Sequence, residues 1–193
     1  MKNILKIILL HLTIISYSQE GVELPLNSLS FEHPNGTYYK DFNNVYLPYI
    51  GTWKGEKYGK ELTLEFVKFT KKKFTAPNGN YYYEDMLMCK YQYKDLVTNT
   101  IISSTMDAVN YEDYRIYGLG YPTNGRFDFN LTDTICDNSF LIIIEDVPNN
   151  PNQLKYVAFY GDDWTYYNNC DYTNRTDIPI PIPFKINMIL TKQ

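Results

Sequence analysis

Between Lys60 and Phe66 the chain reads Lys-Glu-Leu-Thr-Leu-Glu-Phe, which puts Leu62, Leu64 and Phe66 on one face of an extended strand and Glu61, Thr63 and Glu65 on the other. A helix cannot gather a period of two onto one side, because its apolar stripe recurs every three or four residues. The same short-range pattern returns along most of the chain. It predicts strands at about 52–58, 60–70, 81–94, 98–105, 112–118, 125–132, 139–147, 153–161 and 184–191. Between them stand turn signals: Tyr58-Gly59, Pro77-Asn78-Gly79-Asn80, Pro122-Thr123-Asn124-Gly125, Pro148 through Asn152, and Gly161-Asp162-Asp163. Short strands, hairpin-length turns and no amphipathic helix beyond two turns describe an all-β fold, an antiparallel up-and-down meander of about eight or nine strands. Closing it into a barrel removes the exposed edges that an open meander would carry.

Two strands depart from simple alternation. Phe140-Leu-Ile-Ile-Ile144 is apolar on both faces, which suits a central strand whose second face meets another layer or the lead-in. In the last strand Phe184, Ile186, Met188 and Leu190 share one face, and Lys185, Asn187, Ile189 and Thr191 share the other. Before it, Asp177-Ile-Pro-Ile-Pro-Ile-Pro183 must run extended, as a rigid connector with its isoleucines on the sheet or as a ledge for a partner.

The segment ahead of the meander carries an address. Lys2 and Lys6 form a basic start, Ile7 to Ile15 is apolar apart from His11 and Thr13, and Ser16-Tyr17-Ser18 places small residues before Gln19. This is the pattern of a Sec-type signal peptide over residues 1–18. A membrane anchor would need about 20 apolar residues, and Glu20 and Glu23 follow this shorter run at once. The expectation is an exported protein, periplasmic or secreted, with no transmembrane segment after cleavage. Residues 19–50, with Pro25 and Pro34, read as an extended lead-in with a short helical turn, and residues 51–193 as the barrel domain.

The whole chain carries a net charge of −4, and loss of Lys2 and Lys6 makes it more acidic. Phosphate backbones select clustered Lys and Arg, so nucleic acid is not an expected partner. The one basic run, Lys71-Lys72-Lys73, reads as a solvated hairpin tip or as a contact to an anion or membrane surface. Three cysteines allow three pairings. Cys89 falls on the apolar face of its strand with Leu87, Tyr91 and Tyr93, whereas Cys136 and Cys170 lie at strand ends in Asp- and Asn-rich stretches, so the reading pairs Cys136 with Cys170.

A search for reactive chemistry returns little. His33 is the one histidine outside the address, and no Cys-x-x-Cys, His-Glu-x-x-His, Gly-x-Ser-x-Gly or phosphate-binding glycine loop occurs. No metal or cofactor is expected. Asp162-Asp163-Trp164 with Tyr166-Tyr167 offers acids beside flat rings, but neighbours on one strand point to opposite faces and cannot flank one glycosidic bond. With Asp171 and Asp177 the same cluster lacks the ordered spacing of a calcium loop. The 20 tyrosines are the unusual feature of the composition, and they suit either strand packing or a ligand wall.

Gly51-Thr52-Trp53 at the first barrel strand, after a short turn and before a β meander, resembles the lipocalin-type (calycin) barrel. The resemblance implies that Trp53 packs across a closed end of the barrel, that Gly51 allows close backbone approach, and that the cup holds a small apolar ligand. That family normally lays an Arg on this Trp, and here the cations near the last strand are Lys185 and Lys192. The chain also resembles a group of small exported proteins of unknown function from Gram-negative bacteria. The likeness runs through Tyr39-Lys40-Asp41, Tyr49 to Trp53, Cys136-Asp-Asn-Ser139, Cys170 and the terminal Leu190-Thr-Lys-Gln193. It implies export and supports the Cys136–Cys170 pair.

The expectation that follows is a non-enzymatic binding protein holding a small apolar or amphipathic ligand in the barrel, lined by Phe66, Tyr91 and Tyr93. The alternative is a surface module that meets a protein or glycan through exposed tyrosines or the Ile-Pro ladder. A third reading, a carboxylate glycoside hydrolase, requires two acids from different strands about 5–10 Å apart.

Overall fold

The computed structural model describes residues 21–28, 34–133, 135–136, 138–161, 170–172 and 174–193. Among the described residues eleven strands are formed: β1 (Glu23–Pro25), β2 (Tyr38–Lys40), β3 (Gly51–Lys57), β4 (Lys60–Thr75), β5 (Tyr81–Asp95), β6 (Thr100–Ser104), β7 (Ile116–Gly118), β8 (Arg126–Thr132), β9 (Ser139–Val147), β10 (Asn150–Tyr160) and β11 (Met188–Lys192). Eight of them close an antiparallel barrel in the order β5-β4-β3-β11-β10-β9-β8-β7, with β7 returning to β5 through Met88 opposite Tyr117 and Cys89 opposite Ile116. β1 and β2 add to β5 in parallel, and β6 pairs with the C-terminal part of β5.

The register carries the alternation straight into the core. Trp53 lies opposite Leu64 and Leu64 opposite Tyr91, while Phe129 lies opposite Ile142 and Ile142 opposite Ala158, so apolar rows meet across the barrel. Leu62, Phe129, Phe140, Ile142 and Leu190 are all 0% exposed. Each such side chain contributes roughly 1.5–3 kcal/mol by leaving water. Gly55 serves the same packing, since a methyl group there would sit 2.5 Å from the Ile189 carbonyl of the neighbouring strand.

Several boundaries differ from the sequence reading. β4 does not stop near residue 70. A bulge between Phe69 and Lys72, with Lys71 at φ +53°, turns its end into an arm that continues to Thr75 and returns through Tyr81. Lys71-Lys72-Lys73 therefore lie within the arm, and the hairpin tip is residues 76–80. The lysines lean on rings: Lys71 on Tyr38 and Tyr83, Lys72 on Tyr111, Lys73 on Tyr81. The lead-in holds β1, β2 and a 3-10 turn at Leu26–Ser28, while residues 42–49 form tight turns and no regular helix. The last strand begins at Met188 because Lys185, at φ +54°, breaks the extended path and leaves Phe184 against Tyr160. Cys136 and Cys170 are joined by a disulfide, and Cys89 is free and buried. In the Ile-Pro ladder Ile178 and Ile182 are buried on the barrel, as a connector requires. Residues 1–18, His33 and the Asp162-Asp163-Trp164 cluster with Tyr166 and Tyr167 lie outside the described residues. Among the described residues no helix is long and apolar enough to cross a membrane.

Candidate functional site on the barrel wall

Phe66, Tyr91 and Tyr93 share the inner face, brought there by strand alternation on β4 and β5. Phe66 packs on Phe129 with centroids 5.2 Å apart, and the Tyr91 hydroxyl meets Ser103 Oγ at 2.8 Å. Tyr93 lies opposite Leu62. Phe66 and Tyr91 belong to one buried cluster with Leu62, Leu64, Phe129 and Leu190.

Both ends of the barrel carry protein as well. At one end the lead-in folds across the opening: Tyr46 and Tyr49 pack on Phe127 with centroids 5.6 and 5.7 Å away, and Trp53 Nε1 donates to the Tyr49 carbonyl at 2.7 Å. Gly51 sits at φ +117°, a backbone state that L side chains rarely adopt, and this bend lets the lead-in turn onto Trp53. Lys192 lies 5.2 Å from the Trp53 ring and donates to the Pro48 carbonyl at 3.3 Å. Burial pushes the Tyr46 and Tyr49 hydroxyls well above their ordinary range. At the other end Phe140, Tyr160 and Phe184 form an aromatic cluster, Tyr156 donates to the Pro183 carbonyl at 2.9 Å, and the Arg175 guanidinium stacks 4.2 Å from the Tyr160 ring.

Two buried acids from different elements converge near the β4 bulge. Lys68 Nζ lies 3.0 Å from Asp41 and 3.4 Å from Asp85. Asp85 accepts from the Tyr38 hydroxyl at 2.5 Å and from the N–H groups of Asp41 and Lys71 at 3.1 and 3.0 Å, while Asp41 accepts from the N–H groups of Val45 and Tyr46. Burial alone would raise the Asp85 carboxyl, but these donors and the Lys68 charge outweigh it and hold it below its usual range. Glu84 takes the opposite direction. Burial, reinforced by the Asp85 charge and opposed by Lys72, pushes its carboxyl up to about 7. Among the described residues no three His, Cys, Asp or Glu side chains are placed to hold a metal ion.

Among the described residues an open groove lies on the outside. Over β9, β10 and β11 runs a groove of about 600 Å³ lined by Ile143, Val157 and Ile189, with Lys57, Glu145, Lys155 and Asn187 around them. Strand pairing explains the arrangement, because Ile143 lies opposite Val157, and Lys155 lies opposite both Glu145 and Ile189. Lys57 Nζ is fixed by the Asn187 carbonyl at 2.6 Å. An apolar floor with a few polar groups at its rim, in a volume between about 300 and 1,000 Å³, is the usual composition of a small-molecule site.

The sequence carried a signal for this groove in the doubly apolar run Phe140 to Ile144. Among the described residues the second face there meets neither a covering layer nor the lead-in, which folds over the barrel end instead. Lys155, Val157 and Ile189 gave no signal of their own, since an outward Val or Ile on a strand is ordinary. A family model described as "Family of unknown function (DUF6705)" matches residues 1–193. No curated protein and no solved structure matches the chain.

Proposed function

The chain belongs to DUF6705, a family of unknown function, and for this member we propose an exported, non-enzymatic binding barrel that holds a small amphipathic molecule with an anionic head in its outer groove. The observation that carries the reading is the contrast between a packed inner face and an unfilled, apolar-floored groove on the same strands. An acyl or alicyclic body would lie on Ile143, Val157 and Ile189, and the head would meet Lys57 and Lys155, which outnumber the single Glu145 on that rim. Export is supported by the leader-like residues 1–18 and by the disulfide, which persists in oxidising compartments. The lipocalin-type resemblance is supported by the placement of Gly51, Trp53 and Lys192 at one barrel end, with Lys192 where that family lays an Arg. A non-enzymatic role is supported by Asp41 and Asp85, whose oxygens are occupied by backbone donors and Lys68 and which are not paired as acid and base.

Isothermal titration with dodecanoate tests the proposal. Val157→Asp puts a like charge on the groove floor and should weaken binding at least about tenfold, whereas Phe66→Leu on the inner face should leave the affinity within about twofold. Equal loss in both variants, or loss in Phe66→Leu alone, would return the ligand to the barrel interior.

A further inference from the structure

Among the described residues, two open edges of this sheet differ in how they are guarded. β1 carries Glu23 and Pro25, and Glu23 is paired with Lys40 at 3.0 Å, which are common devices against unwanted strand addition. β6 has only a bulge at Ile102. From Leu96 to Thr105 there is no ionisable side chain and no proline. Among the described residues the only strand beside β6 is β5, and β7 joins β5 further back, at Met88 and Cys89. A register shift between Tyr93 and Lys94 kinks β6 and leaves side chains exposed on both of its faces: Ile101 is 58% and Ile102 45% exposed. Val97, 86% exposed, and Leu96 extend the apolar surface along the hairpin, and Tyr58 adds to it from the adjoining turn, where Leu96 N–H bonds to the Gly59 carbonyl.

We propose that β6 pairs antiparallel with β6 of a second copy of this chain, making a two-fold dimer through a continuous β5–β6–β6–β5 sheet. The occupant follows from the chemistry of the edge. Unpaired N–H and C=O groups along a strand are satisfied best by another strand, and a segment without charge can face its own copy with no like-charge repulsion, although the chain as a whole is acidic. β10 lies opposite β5 around the barrel, so both outer grooves remain open in the dimer.

Sedimentation equilibrium of the oxidised protein over about 1–100 µM tests this. The expected result is a species of twice the chain mass that becomes monomeric in the Ile101→Lys, Ile102→Lys double variant, with near-ultraviolet circular dichroism unchanged. A wild-type monomer across the range, or a dimer that survives both lysines, overturns it. Hydrogen exchange on the wild-type protein gives a reading that does not depend on the variant folding. Amide protection of Thr100 to Ser104 should rise with protein concentration, and concentration-independent exchange there overturns the proposal.

Discussion

On β9, residues one apart in sequence live in different surroundings: Ile142 and Ile144 are fully buried among the rings of the barrel, whereas Ile143 between them looks into the outer groove beside Val157. Composition does not separate the two faces, since both are apolar. Closure separates them, because the inner face has seven other strands and two end segments to pack against, and the outer face has no such layer among the described residues. An apolar inner face therefore reports on stability, while a contiguous apolar outer face is where a bound molecule is to be sought.

Truncation on the inner face should be expensive. Trp53→Ala removes a fully buried ring together with its hydrogen bond to the Tyr49 carbonyl, and should lower unfolding free energy by about 3–5 kcal/mol in urea titration. A change below about 1 kcal/mol would erase the distinction between the faces. Next in size is the disulfide, which spans a sequence separation of 34 and stabilises by about 4 kcal/mol in the chain-entropy account. The Cys136→Ala, Cys170→Ala protein should lose stability on that scale. The oxidised, denatured wild type should titrate one free thiol, Cys89, and three would contradict the pairing.

Glu84 gives an effect that depends on pH. Its folded carboxyl ionises near 7 against an ordinary value of 4.5, mainly because it is buried, so the folded state binds this proton more tightly than the unfolded chain. The stability it contributes is complete below about pH 4.5 and is lost as pH rises through about 7, a change of about 3 kcal/mol. Glu84→Gln should match the wild type at acid pH and exceed it by about that amount near pH 8, as read by thermal unfolding across the range. A difference independent of pH would mean that the carboxyl is solvated. Smallest of all, Ile143→Thr on the outer face should change stability by less than about 1 kcal/mol while weakening dodecanoate binding. A loss of about 3 kcal/mol there would show that the outer face is core.

How far the sequence could be read followed the same division between the faces. Strand alternation at Leu62, Leu64 and Phe66, and the strand-end settings of Cys136 and Cys170, yielded the barrel and its disulfide because those residues answer to local geometry. The arm beyond Phe69 escaped, since three successive lysines hide a period of two and the bulge at Lys71 depends on the Asp85 acceptor 14 residues away. β1 and β2 escaped because three-residue parallel strands leave no periodic trace. Phe66, Tyr91 and Tyr93 are buried, but how much space lies in front of inward rings depends on the opposite strands and on both end segments, which no local pattern carries. The groove escaped for a related reason: its floor comes from three strands and its rim from four separate segments.

The most direct test follows the methyl groups on either side of β9. With a nitroxide-labelled fatty acid added to protein carrying ¹³C-methyl isoleucine, the Ile143 and Ile189 signals should broaden strongly, and those of Ile142 and Ile144 should broaden much less. Broadening centred on Ile142 and Ile144, with Ile143 spared, would place the ligand inside the barrel and contradict the outer groove.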